Sequence, residues 1–273
     1  MEIKRFIHND ITRKYHVFGQ GDEVLYCFHG FGQSPLVWKI FQEWLVKRFL
    51  VFAFTDFFHE EERNLGNSQI TSLKKSNLQL FFKAFSESKG HGSINLMAYS
   101  SGGRNALTLI EGAELNIKET WLFAPDGIEQ SFWNGLFCSY SFVQRLFKKV
   151  IDKPDGLFSI VGILAKLRLI DSSLATFVLF SMRNKSQREK IYRYWMLYKD
   201  ILPNQKRLIE VIDKGSLNVH LVFGKKDVVI PPEIGRRFMQ KCKRGVDLLE
   251  LDGGHRLIDD RFLKTLEDWY CKS

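Results

Sequence analysis

The sequence predicts an α/β protein built on a mostly parallel sheet, and three observations carry that prediction. Short β-like apolar runs alternate with helical stretches along most of the chain. That rhythm belongs to a sheet covered by helices on both faces. It breaks once, between about residues 130 and 210, where helical patterns follow one another without strands. The residues best suited to chemistry stand just past the C-terminal ends of the expected strands, where sheets of this kind form their ligand sites.

The elements follow in order. Residues 24–29, Val-Leu-Tyr-Cys-Phe-His, are an unbroken apolar run ending in Gly30-Phe31-Gly32, which reads as a buried strand. Residues 37–49 place Val37, Ile40, Phe41, Trp44 and Leu45 on one helical face. Residues 50–55 form the next strand. In residues 72–86 the apolar positions Leu73, Leu78, Phe81, Phe82 and Phe85 again keep helical spacing. A strand over 94–99 leads into a helix over 104–111, and a strand over 120–124 ends at Pro125-Asp126-Gly127. After the helical stretch, a strand over 218–223 ends in Gly224-Lys225-Lys226-Asp227. A helix over 233–241 leads to the last strand, 246–251, which ends in Asp252-Gly253-Gly254-His255. Residues 260–271 close the chain as a helix.

With 273 residues and 45% hydrophobic content, the chain has enough apolar material for one large core carrying an insertion. The 24 phenylalanines predict bulky apolar surfaces, in the core or around a pocket. Residues 157–182 are strongly apolar, but Lys166, Arg168 and Asp171 interrupt them. A membrane-spanning helix needs roughly 20 apolar residues, so two short amphipathic helices are expected instead.

Cys27, Cys138, Cys242 and Cys271 form no C-x-x-C pair and no zinc-like cluster with histidine. Incidental thiols in a reducing compartment are expected. The first residues, Met-Glu-Ile-Lys-Arg-Phe, carry early charges and no apolar h-region, so a cytoplasmic location is expected. No metal, nucleotide or other cofactor motif is present, and no cofactor is expected. The net charge is +9. Residues 131–207 hold 14 Lys/Arg against 5 Asp/Glu, and the remainder of the chain is balanced. One segment therefore supplies the whole imbalance. It suits an anionic substrate or an acidic membrane surface, or is simply a solvated helical face. It lacks a recognised nucleic-acid motif, and no nucleic-acid partner is expected.

The chemistry centres on Ala98-Tyr99-Ser100-Ser101-Gly102-Gly103. A strand runs into a helix through a tight turn with Ser100 at its apex. Such a turn crowds its neighbours, so small residues are needed two positions before and after, here Ala98 and Gly102. The G-x-S-x-G pattern is thus met with alanine in its first position. A serine hydroxyl needs an adjacent base, and His255 after Gly253-Gly254 can supply one. A carboxylate must orient that ring. Asp227 is placed for it after the penultimate expected strand, and Asp126 after the strand over 120–124 is the alternative acid. The developing oxyanion needs backbone N–H donors, expected from Ser101 and from Phe31 in His29-Gly30-Phe31-Gly32-Gln33.

In order and spacing, these pieces resemble the α/β-hydrolase superfamily over nearly the whole chain. The resemblance implies an eight-stranded, mostly parallel sheet. It assigns residues 1–129 and 211–273 to the core, and residues 130–210 to a helical cap between strands six and seven. It also implies a serine hydrolase with Ser100 as nucleophile, His255 as base and Asp227 as acid. The loop that often reads Asp-x-x-Gly-x-Gly-x-Ser after the fourth strand is different here, running from Asp56 to Ser68.

The expected activity is cleavage of a carboxylic ester or thioester, anionic or lipid-derived, through an acyl-enzyme. Peripheral membrane contact through the basic cap fits the same reading. The Ser-Gly-Gly-Arg tail ending at Arg104 is similar to that of the menaquinone-pathway synthase of this fold. It raises a lyase or C–C hydrolase alternative, with Arg104 binding substrate carboxylates. A non-catalytic binding protein of the same fold is the third reading. Trp133 and Trp195 are candidates to line an apolar substrate pocket.

Overall fold

The computed structural model describes residues 2–9, 11–56, 72–129 and 140–270. Its strands are β1 (Glu2–His8), β2 (Ile11–Phe18), β3 (Glu23–Phe28), β4 (Phe49–Phe54), β5 (Ile94–Tyr99), β6 (Ile117–Phe123), β7 (Asn218–Gly224) and β8 (Val246–Leu251). They form one eight-stranded sheet in the order β1-β2-β4-β3-β5-β6-β7-β8. The β1/β2 and β2/β4 pairings are antiparallel. Those from β4 through β3, β5, β6 and β7 to β8 are parallel. Parallel neighbours need crossovers, and the apolar runs of β3 and β5 are the mark of strands covered on both faces.

The N-terminal hairpin was not legible as strands. In β2 the buried phase contains Arg13 and Tyr15, so a buried arginine hides the apolar alternation. β1 is mostly exposed and carries charges among its apolar residues.

The chain expected as one helix over 37–49 divides. Pro35–Phe41 is a 3₁₀ helix with Pro35, Trp38 and Phe41 buried. Those residues recur every third position, the period of a 3₁₀ turn rather than an α-helix. Helix α1 (Gln42–Arg48) follows, and Phe49 already opens β4. Helix α2 (Lys75–Lys89) begins and ends three residues later than expected, stopping at Gly90 in the left-handed conformation, φ 68°. A 3₁₀ turn, Ser100–Gly102, runs directly into α3 (Gly103–Gly112).

One face of the sheet packs aromatic side chains against α2. Phe82 and Phe85 meet Tyr26 and Phe54 at centroid distances of 4.9–6.1 Å. On the opposite face, Trp38 and Phe41 of the 3₁₀ helix meet Phe123. The phenylalanine-rich composition thus has a place in the core. Aromatic pairs in edge-to-face or offset-stacked geometry add about 0.5–1.5 kcal/mol each beyond their buried area.

The chain divides into two compact units: residues 1–64, 74–129 and 201–273 in one, residues 65–73 and 130–200 in the other. The first unit holds the sheet together with α8 (Gln205–Lys214), α9 (Pro232–Lys241) and α10 (Leu263–Tyr270). The second is helical among its described residues: α4 (Ser141–Asp152), α5 (Asp155–Lys166), α6 (Ser172–Ser181) and α7 (Lys185–Tyr198). A buried arginine ties its helices together. Arg188 donates through Nε to the Ile151 carbonyl and through Nη1 to the Met182 carbonyl, at 2.9 and 2.8 Å.

The expected boundaries of 130–210 need correction. Residues 201–210 go with the sheet, because Leu208 and Ile212 bury the inner face of α8 there and Gln205 donates to the Ile128 carbonyl. Leu73 goes with the helical unit, since its N–H donates to the Leu197 carbonyl at 2.8 Å. The apolar stretch 157–182 forms α5 and α6 as two separate short helices. Among the described residues, no helix is long and apolar enough to cross a membrane.

Candidate active site

Ser100 stands where β5 turns into the helix, with φ +51°. A left-handed conformation costs a non-glycine residue about 1–3 kcal/mol and persists only where the surroundings fix it. Three features fix it here. Ala98 is fully buried between Phe28 and Leu122 in the centre of the sheet. Gly102 admits no side chain, since a Cβ there would lie 2.2 Å from the Phe28 carbonyl oxygen. The Asp126 N–H donates to the Ser100 carbonyl at 2.8 Å.

His255 reaches Ser100 from the loop after β8. Its Nε2 lies 2.9 Å from the Ser100 Oγ, and its Nδ1 lies 2.7 Å from the Asp227 Oδ2. The carboxylate accepts only a protonated Nδ1, which leaves Nε2 as acceptor for the serine hydroxyl. Asp227 is itself held, because its Oδ1 accepts the N–H groups of Val229 and Ile230 at 2.8 and 2.9 Å. The carboxylate side chain is fully buried, whereas the imidazole keeps about a fifth of its surface open.

The loops bearing acid and base are joined by backbone. Lys225 N–H donates to the Leu251 carbonyl and Lys226 N–H to the Gly253 carbonyl, both at 2.9 Å. Gly224 makes that approach possible, since a Cβ there would stand 2.2 Å from the Gly254 carbonyl oxygen. Tyr99 supplies a further tie. Its hydroxyl donates to the His255 carbonyl at 2.9 Å, and its ring lies 5.5 Å from the imidazole. Burial, then the nearby Asp227 charge, pushes the Tyr99 hydroxyl above its ordinary range, so it remains a donor. The same ring lines Gly30, where an added Cβ would meet it at 2.9 Å. Sequence reading missed Tyr99 and Gly224. Both act only once the strand ends come together, Tyr99 at the end of β5 and Gly224 at the end of β7.

The loop bearing Phe31 is closed at its base. Gln33 N–H donates to the Gly30 carbonyl, and Gly30 N–H donates to the Gln33 Oε1, both at 3.1 Å. His29 is buried, with Nδ1 2.9 Å from the Gly30 carbonyl, and its Nε2 accepts the Asp56 N–H at 3.2 Å. It pins the loop rather than facing Ser100. Ser101 lies in the first helical turn after Ser100, where N–H groups have no intrahelical partner and the helix dipole is positive.

Asp126 is directed elsewhere than His255. Its Oδ2 accepts from the Arg104 Nε at 2.7 Å, and Arg104 is only 3% exposed. Arg104 therefore holds the end of β6 against α3. Trp195 lies in the helical unit, 5.1 Å from the Phe147 ring. Trp133 lies outside the described residues, as does most of the loop from Asp56 to Ser68.

No protein-family model matches the chain, and no curated protein matches it. Solved structures do. A thermophilic esterase from Thermogutta terrifontis is similar with a TM-score of 0.64 at 15% identity, over 100% of this chain and 99% of that one. The thioesterase domain from the curacin biosynthetic pathway gives 0.64 at 15% identity, over 99% of both chains. Carboxylesterase CesB from Bacillus subtilis gives 0.61 at 13% identity, over 100% of this chain and 93% of that one. With its sheet order, its elbow at Ser100 and these likenesses, the chain has the α/β-hydrolase fold.

Proposed function

We propose that the protein is a serine hydrolase that cleaves a carboxylic ester or thioester through an acyl-enzyme. The observation that carries this reading is the unbroken chain from Ser100 Oγ to His255 to buried Asp227. His255 Nε2 takes the serine proton as Oγ attacks the carbonyl carbon. The tetrahedral oxyanion lies against the N–H groups of Ser101 and Phe31, each worth about 3 kcal/mol in such sites. The imidazolium, stabilised by Asp227, then protonates the leaving alcohol or thiol. Water, deprotonated by His255, attacks the acyl carbon and releases the acid and Ser100.

The similar structures, those of an esterase, a thioesterase domain and a carboxylesterase, support the same chemistry. The lyase or C–C hydrolase alternative rests on Arg104, which is buried and paired with Asp126, so the ester reading takes precedence. The excess positive charge of residues 131–207 favours an acidic or lipid-derived substrate.

A panel of p-nitrophenyl and thioester substrates tests the proposal. Wild type should turn over at least one, and Ser100→Ala should lose about 10⁴-fold or more in kcat. Equal residual rates in the two proteins would refute it.

A further inference from the structure

Helix α4 shows solvent a mixed face. Phe142, Arg145, Leu146 and Lys149 recur at i, i+3, i+4 and i+7 and are all exposed, whereas Ile151 turns inward. Helix α5 buries Val161 and shows Ile160 and Ile163. The turn after α5 presents Leu167 and Leu169 at 61% and 67% exposure, flanked by exposed Lys166 and Arg168. That turn is built rather than loose. Arg168 is left-handed at φ +57°, its N–H donates to the Ala165 carbonyl, and the Leu169 N–H donates to the Leu164 carbonyl.

We propose that the exposed apolar side chains of α4, α5 and the turn after α5 dock the protein on an anionic lipid bilayer. An apolar surface of several large side chains marks an interaction site, and the interleaved charge selects the partner. Residues 141–169 carry six Lys/Arg against two Asp, and one of those, Asp152, is paired with Lys185. Cations beside exposed leucines suit an anionic interface, where apolar side chains enter the acyl boundary and Lys and Arg remain among the headgroups. A second copy of this chain would bring the same positive charge to the contact and is disfavoured. The proposal stands independently of the ester chemistry.

The test is flotation of the full chain with phosphatidylcholine vesicles, with and without phosphatidylglycerol, at low and high salt. Wild type should float only with the anionic vesicles, and high salt should weaken its binding. Leu167→Ser with Leu169→Ser should weaken binding about tenfold or more. Arg145→Gln and Lys149→Gln should cost about fivefold each. Thermal midpoints equal to wild type will show that these exposed substitutions leave the fold intact. Three outcomes overturn the proposal: no wild-type binding, equal binding to neutral vesicles, or unchanged binding of the double leucine variant. Self-association or binding to an acidic polypeptide without vesicle binding overturns it as well.

Discussion

At the scale of single residues, the two carboxylates at strand ends have different surroundings. Asp227 accepts two backbone N–H groups and the His255 ring, whereas Asp126 accepts from Arg104. Asp227→Asn should lower kcat about 10⁴-fold with little loss of stability, because the amide favours the wrong imidazole tautomer. Asp126→Asn should leave turnover within a few-fold. It should cost about 2 kcal/mol in denaturant unfolding, because it replaces the charged acceptor of the buried Arg104 Nε with a neutral amide. Tyr99→Phe removes only the bond to the His255 carbonyl. About 1 kcal/mol of positioning should appear as a fivefold fall in kcat at unchanged KM. Ser100, Asp227 and His255 were legible because each carries its chemistry in its side chain and follows a strand. Tyr99 was not, since its contact spans 156 residues of sequence and nothing local announces it.

At the scale of elements, the turn from β5 into α3 is the most constrained segment. Gly102 lies under the carbonyl oxygens of Phe28 and His29, both backbone atoms with no freedom to yield. Gly102→Ala should therefore destabilise the fold by about 3 kcal/mol in chemical unfolding and reduce activity in the fraction that remains folded. The glycine pattern around Ser100 made this turn legible. The parallel strands were legible for a related reason, because burial on both faces leaves an unbroken apolar run. The N-terminal hairpin failed that test. Arg13 occupies a core position by stacking over Phe28, Phe54 and Phe82 and donating to the Thr55 carbonyl. Periodicity counts such a residue as polar.

At the scale of the whole molecule, charge and burial set the response to pH. Burial lowers the pKa of His91, next to Tyr26, and of His16 below the ordinary 6.5. The folded state thus prefers both rings neutral. Their stabilisation is present above about pH 6.5 and is lost as the pH falls below it. The thermal midpoint should drop between pH 7 and pH 5, before the paired carboxylates such as Glu23 protonate, and His91→Gln should flatten that drop. The uneven charge was plain in the sequence, but the exposed leucines beside it emerged only from the helical packing. The central claim remains the nucleophile. Its most direct test is treatment of the folded protein with a fluorophosphonate, followed by mass mapping of the adduct. One adduct per chain on Ser100, absent from Ser100→Ala and slowed in His255→Ala, is the predicted result. No adduct on wild type, or an adduct on any other residue, would contradict the assignment.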